Sequence, residues 1–261
     1  MHLGQEVSQF ADIAICTTAW RRPYYLRETL AAWERVRSIS QIRLFQVSLG
    51  ASDRLDEARD TIREFAGPIP HDVEVYEDEG NLGPWAVNAI ALSRAFADPL
   101  VDFAFMAEED ILPADDLLEY VAWAKDEFRD EPEVLLVNAH SRCGQGWDGP
   151  DVKDDPDADP AIIRLAPYFN QWGWGTWRDR FQKILLPQWD WDGTSGTAMQ
   201  SGHDWNIQLR SMRGYVAVTP DASRTQHIGM LEAWAANEWT LSWSQAASFR
   251  EHRDRVQFEL A

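Results

Sequence analysis

Three consecutive acids, Glu108-Glu109-Asp110, close the apolar run Phe103-Ala104-Phe105-Met106-Ala107. Carboxylates this close repel one another and are costly to hold together unless a cation neutralises them. A hard divalent ion, Mg²⁺ or Mn²⁺, suits such a cluster and can hold a diphosphate beside it. The triplet also reads as a solvated acidic turn, so the weight falls on what surrounds it. Arg21 and Arg22 follow another apolar run that ends at Thr17-Thr18, and are candidates for contacts to a nucleotide. Arg224 in Ser223-Arg224-Thr225 carries a planar fork that matches phosphate oxygens, and a surface salt bridge is its other reading. Asn81 and Asn88 are candidates to hydrogen-bond a base or ribose, although turn chemistry also accounts for Asn81-Leu82-Gly83.

The elements around these residues alternate in type. Short apolar runs at 13–17, 43–48, 73–76, 103–106 and 134–138 read as strands. Amphipathic stretches at 24–37, 55–65, 84–96 and 115–128 read as helices, with Leu26, Leu30 and Trp33 on one stripe and Pro84 suited to a first turn. Such alternation predicts an α/β fold with a mainly parallel sheet and crossover helices. Ligands of such sheets bind beyond the carboxyl ends of the strands. The acid triplet, Thr17–Pro23 and Glu77–Gly83 all fall on that edge by topology. Residues 141–160, rich in Gly, Asp and Pro, read as a long loop, either a lid or an acidic surface excursion. Further helix and strand are expected around 204–213 and 215–218.

The chain has 261 residues and a formal charge of −19, which opposes long-range attraction to nucleic acid or anionic membranes. Cys16 and Cys143 form neither a disulfide framework nor a zinc spacing, and no apolar run approaches membrane-spanning length. The start of the chain lacks a signal-peptide pattern. These features lead us to expect a soluble cytoplasmic protein (host cytoplasm if phage-encoded) with no membrane association and no obligate protein partner. Ten of the 14 tryptophans lie beyond residue 140. Clustered with glycines, as in Gln171-Trp172-Gly173-Trp174-Gly175-Thr176-Trp177, they suit a pocket for flat rings or sugars. If this segment is extended, Trp172 and Trp174 share a face; Trp177 and Trp205 are expected in the core.

These segments, in this order, resemble the GT-A fold of nucleotide-sugar-dependent glycosyltransferases. Thr18 to Pro23 is similar to that family's opening strand and first helix. Asn81-Leu82-Gly83 with Asn88 is similar to its Asn-x-Gly…Asn stretch, and Glu108-Glu109-Asp110 to its Asp-x-Asp metal motif. Gly173-Trp174, Asp204-Trp205 and Ser223-Arg224-Thr225…Ile228-Gly229 most resemble the N-acetylglucosaminyltransferase I-like branch. The likeness spans about residues 12–230. It implies a single GT-A domain over 1–261, with a nucleotide-binding half at about 12–138 and a donor-sugar and acceptor half at about 161–230. It also implies Asp110 and His227 as ligands of Mn²⁺ or Mg²⁺, and Asp204 as general base of an inverting transfer from a UDP-sugar. Thr18, Arg21, Arg22, Asn81, Asn88, Glu108, Glu109, Trp174 and Arg224 would bind the nucleotide sugar. The chain departs from the family after the second strand, where an acid commonly contacts uracil; Asp53 stands nearby.

The acceptor implied is a glycan, a small molecule or a 5-hydroxymethylpyrimidine in phage DNA, the last opposed by the acidic charge. A nucleotidyltransferase is the alternative enzyme, but Thr17–Pro23 lacks the glycine-rich loop it would need. A non-catalytic sugar-binding module is the other class. It would have no use for Asp110 and Asp204 together.

Overall fold

The computed structural model describes residues 8–65, 74–77, 83–141, 155–189, 207, 211–229 and 246–261. In chain order these form β1 (Ile13–Ala19), α1 (Pro23–Arg35), β2 (Leu44–Leu49), α2 (Leu55–Glu64), β3 (Glu74–Glu77) and α3 (Gly83–Ala95). There follow β4 (Phe103–Glu108), β5 (Ile111–Pro113), α4 (Leu117–Glu127), β6 (Val134–Asn138), β7 (Ile162–Ala166) and β8 (Trp174–Trp177). The last elements used below are β9 (Val216–Pro220), β10 (Thr225–His227) and β11 (Glu259–Leu260).

Among the described residues, nine strands make one sheet in the order β11-β7-β9-β6-β8-β4-β1-β2-β3. It is mainly parallel, as expected: β4, β1, β2 and β3 run together, as do β6 with β9 and β11 with β7. Antiparallel β8 sits between β4 and β6, and β7 runs antiparallel to β9. Neither β7 nor β8 follows from the alternation of the first half.

The core forms two layers whose composition follows the strand period of two. Ile13, Ile15, Phe103 and Phe105 face one layer with Leu26, Leu30 and Trp33 of α1. Ala14, Cys16, Ala104 and Met106 face the other, against Ala86, Ala89, Leu92 and Ala95 of α3. Small residues on both sides of that second interface let α3 lie close to the sheet. Every residue of β1 and β2 is buried, as central parallel strands require.

A separate two-stranded ladder, β5 with β10, stands at the carboxyl edge of the large sheet. Its register sets Ile111 opposite His227 and Pro113 opposite Thr225. It therefore brings the residues just after the acid triplet beside a segment more than a hundred positions later. Among the described residues, no helix is long and apolar enough to cross a membrane.

Candidate functional site

The strand order turns between β4 and β1. The chain moves outward through β1, β2 and β3, then returns to the other side of β1 for β4. Open α/β sheets take ligands in the crevice outside the carboxyl ends at such a point. Two loops border it here, Trp20–Arg22 after β1 and Glu109–Asp110 after β4.

The Arg22 guanidinium bridges them. Its Nε donates to Glu109 Oε1 at 2.8 Å, and its Nη1 lies 2.8 Å from Asp110 Oδ2. Burial works against the arginine charge, but Glu109, Asp110 and Glu108 outweigh it and raise its pKa. Glu109 is itself enclosed; burial, then the Asp110 charge, raise it well above the usual carboxylate range. The backbone holds the turn firmly: Glu109 N donates to Thr18 O at 2.9 Å, and Thr29 Oγ1 donates to Glu109 O at 2.6 Å.

His227 reaches the same carboxylate from β10, with Nε2 3.5 Å from Asp110 Oδ2, and Ile228 N donates to Asp110 O at 2.9 Å. Burial depresses the His227 pKa, so the ring is held neutral, which is the ligand form of imidazole. Gly229 presses on the same point. A Cβ there would stand 1.9 Å from Asp110 Oδ2 and 2.8 Å from Arg22 Nη1, so only glycine lets the carboxylate stay where it is.

Two polar atoms of this cluster are buried without a hydrogen-bond partner in the structure, Asp110 Oδ1 and His227 Nδ1. Such orphaned atoms are costly unless something else satisfies them. An oxygen and an imidazole suit Mn²⁺ better than the all-oxygen sets of Mg²⁺. Among the described residues no group of three His, Cys, Asp or Glu is arranged to hold a metal. The donors present beside this edge are thus one carboxylate oxygen and one imidazole nitrogen, both of a type that a divalent ion accepts.

The other expected site residues fall in different places. Arg21 is turned away from the acids and grips Asp53, with Nη2 at 3.0 Å from Oδ2 and Nε at 2.9 Å from Oδ1. Thr18 Oγ1 donates to Asn88 Oδ1 at 3.3 Å, and both side chains are buried, tying β1 to α3 beneath the site. Glu108 is half-buried at the end of β4. Asn81 and Asp204, and Trp205 with the helix expected at 204–213, lie outside the described residues or largely so, as do 142–154 of the expected loop.

Two expectations change. Trp174 is enclosed, edge-on to Phe169 with ring centroids 5.2 Å apart, in the α3-side core rather than lining a cavity. Trp172 packs in the opposite layer, because Gly173 takes φ +98° and breaks the alternation that would put both indoles on one face. Arg224 is fully buried. Its Nε pairs with Asp116 Oδ2 at 3.4 Å, while its Nη atoms donate to the carbonyls of Ala222 and Pro160. So placed, it presents no donor to a phosphate at the open edge. Trp177 is in the core, as expected, against Phe103.

Sequence reasoning did not single out His140 or set Trp172 beside His227. Trp172 lies between two imidazoles, 5.4 Å from His227 and 5.0 Å from His140. Farther along the same edge, beyond β6 and β9, a cavity of about 230 Å³ is lined by Ser141, Arg164, Tyr168, Thr219 and Asp221 among others.

No protein-family model matches the chain, and no curated protein matches it. Solved structures do. A mannosyltransferase, PcManGT from Pyrobaculum calidifontis, in complex with GDP-Man and Mn²⁺, is 18% identical with a TM-score of 0.53, over 80% of this chain and 54% of that one. TarS 1–349 from S. aureus in complex with UDP-GlcNAc is 13% identical with a TM-score of 0.57, over 86% and 62%. A further structure of TarS 1–349 is 15% identical with a TM-score of 0.55, over 88% and 68%. The chain therefore spans between about half and two thirds of these neighbours' lengths. At such identities the likeness is one of architecture: this chain has the GT-A fold, an α/β sandwich around a mainly parallel sheet.

Proposed function

We propose that this protein is a metal-dependent, inverting glycosyltransferase that moves a sugar from a UDP-sugar to an acceptor hydroxyl. One observation carries the reading. The Asp110 carboxylate stands at the switch-point edge with one oxygen unpartnered, beside a neutral His227 and over a glycine that admits no side chain. A surface ion pair needs none of this construction. The donors held by the structural neighbours, GDP-Man with Mn²⁺ in one and UDP-GlcNAc in another, are both nucleotide diphosphate sugars.

Asp110, through Oδ1, and His227 are the residues that would hold the ion; when bound, it supplies Lewis-acid stabilisation of the departing diphosphate. Arg22 keeps Glu109 and Asp110 together when no diphosphate is present, and offers it a second cation when one arrives. Asp204 is the general base in this proposal, taking the proton of the acceptor hydroxyl as the oxygen attacks the anomeric carbon from the face opposite the diphosphate. The acceptor side is assigned to the cavity beyond β6 and β9.

The test is a panel of UDP- and GDP-sugars offered to the purified protein with Mn²⁺ or with EDTA, scored for nucleotide release and thermal shift. Release from a UDP-sugar, abolished by EDTA and by Asp204→Asn, is expected. No release and no thermal shift with any donor would sink the reading.

A further inference from the structure

We propose that the cavity beyond β6 and β9 holds a neutral sugar unit of the acceptor other than the unit that reacts, so that the acceptor is an uncharged oligosaccharide chain. The inference rests on the glycosyltransferase reading above and names its acceptor class. Distance, size and charge carry it.

The sheet runs β7-β9-β6-β8-β4, so β9 lies three strand spacings from the strand that ends at the acid triplet, ~14 Å in all, and β7 lies one farther. Protein fills the interval. Ring centroids run from His227 to Trp172 at 5.4 Å and on to His140 at 5.0 Å, and Ser141 of the cavity wall follows His140. With the diphosphate at Asp110, the anomeric carbon is one oxygen from its phosphorus. The attacking hydroxyl stands ~3–3.5 Å beyond that carbon. The reacting unit therefore sits near Asp110, and a ligand in the cavity is a different unit of the same acceptor.

At about 230 Å³ the cavity is smaller than the ~300–1,000 Å³ of sites for drug-sized ligands, and takes one ring rather than two. In its wall Arg164 and Asp221 meet fork to fork, with Nε donating to Oδ1 at 2.6 Å and Nη2 to Oδ2 at 2.9 Å. The arginine charge is thereby matched, and Asp155 leaves the wall acidic. A phosphate chain would meet like charge. Hydroxyls would not, because a paired carboxylate keeps lone pairs to accept from them. Leu165, Pro167 and Pro220 supply apolar cover for the C–H face of a sugar ring.

The test offers UDP- and GDP-sugars with Mn²⁺ and, as acceptors, labelled gluco-, manno- and N-acetylglucosamine oligosaccharides of one to four units, beside 5-hydroxymethylated duplex DNA. It compares wild type with Ala158→Trp, which fills the cavity, and with Leu165→Ala, which thins its wall at an exposed position. Binding energy from a remote unit is spent at the reacting one, so it raises kcat as well as affinity. Wild type is expected to gain at least about tenfold in kcat/KM between one unit and three, a modest binding contribution. Ala158→Trp is expected to erase that gain, while keeping its rate on the single unit and its hydrolysis of the donor by water. Leu165→Ala loses part of the gain. Equal kcat/KM for one unit and three in wild type overturns the proposal, as does a gain that survives in both variants. So does transfer to the DNA, or donor hydrolysis with transfer to none of the chains; the glycosyltransferase reading then stands without this one. Nucleotide release from no donor sinks both.

Discussion

The two ends of the β5–β10 ladder hold the same pair of chemical groups and treat them in opposite ways. At one end Asp110 meets Arg22, whose side chain is 31% exposed, and one carboxylate oxygen has no partner. At the other, Asp116 meets Arg224, and both side chains are fully buried. Arg224 spends its Nη donors on backbone carbonyls and lies 4.8 Å from the Tyr120 ring centroid and 5.1 Å from that of Phe258. Burial raises Asp116 and lowers Arg224, each against its charged form. The closed end is a fastening: it joins α4, β10 and the C-terminal segment. Asp116 Oδ1 and Oδ2 and Arg224 Nε lack a hydrogen bond there, just as Asp110 Oδ1 does at the open end, but they are sealed from solvent. Neither a buried charge pair nor an unpartnered oxygen alone marks a site; at the open end the arginine reaches solvent.

Breaking the closed end should cost the most. Arg224→Ala strands a buried carboxylate and removes the guanidinium packed between two rings, a loss of roughly 3–5 kcal/mol in unfolding free energy. Activity per folded molecule should be unchanged, which urea melts and active-fraction titration would show. A variant of wild-type stability would contradict the fastening role.

The open end should show the reverse. Gly229→Ala drives a methyl into Asp110 and Arg22. Overpacking of this kind costs about 1–3 kcal/mol, and here it should appear chiefly as lost turnover, because the carboxylate must leave its place. Retained turnover with an unshifted melt would mean that the carboxylate position does not matter.

His227→Ala should be milder still. Losing one of the two proposed protein ligands should weaken Mn²⁺ roughly 10–100-fold, by analogy with changes around other metal sites, with little effect on the melt. Saturating Mn²⁺ should recover most of the rate. Failure of high Mn²⁺ to recover it would give the ring another task.

The smallest effect concerns Cys16, in the core between β1 and α3. Burial pushes its thiol from about 9 up to about 12. In a Cys143→Ala background the native protein should resist thiol reagents at pH 8 and react on unfolding. Because the folded value is the higher one, stability linked to this thiol is intact below pH 9 and is lost as pH rises from 9 through about 12. Rapid labelling of the native state would contradict this.

Much of this contrast was legible in the chain, but unevenly. The carboxyl edge was, because the period of β1 and β4 and the alternation of helices force Thr18, Arg22 and Asp110 onto one side of a parallel sheet. The need of the acid triplet for a cation was legible too. That Arg22 supplies one was not, because nothing local says which side chain from the neighbouring strand end will turn inward. Arg224 looked like a phosphate ligand for the same reason: its type was visible, its enclosure by Tyr120 and Phe258 was not. Strand β8 was missed because all four of its residues are buried, so no alternation betrays it, and its tryptophans looked like a pocket wall. The β5–β10 ladder is three residues a side and joins distant segments, so no local pattern shows it; the resemblance alone set His227 beside Asp110.

The central claim is a divalent ion at Asp110, and the most direct measurement is electron paramagnetic resonance of Mn²⁺ with UDP, titrated into wild type and Asp110→Asn. The account predicts that wild type quenches the free Mn²⁺ signal in a UDP-dependent way and that the substitution weakens this by at least about tenfold, the equivalent of one lost charge-assisted contact. Equal Mn²⁺ binding by the two proteins, with and without UDP, would contradict it.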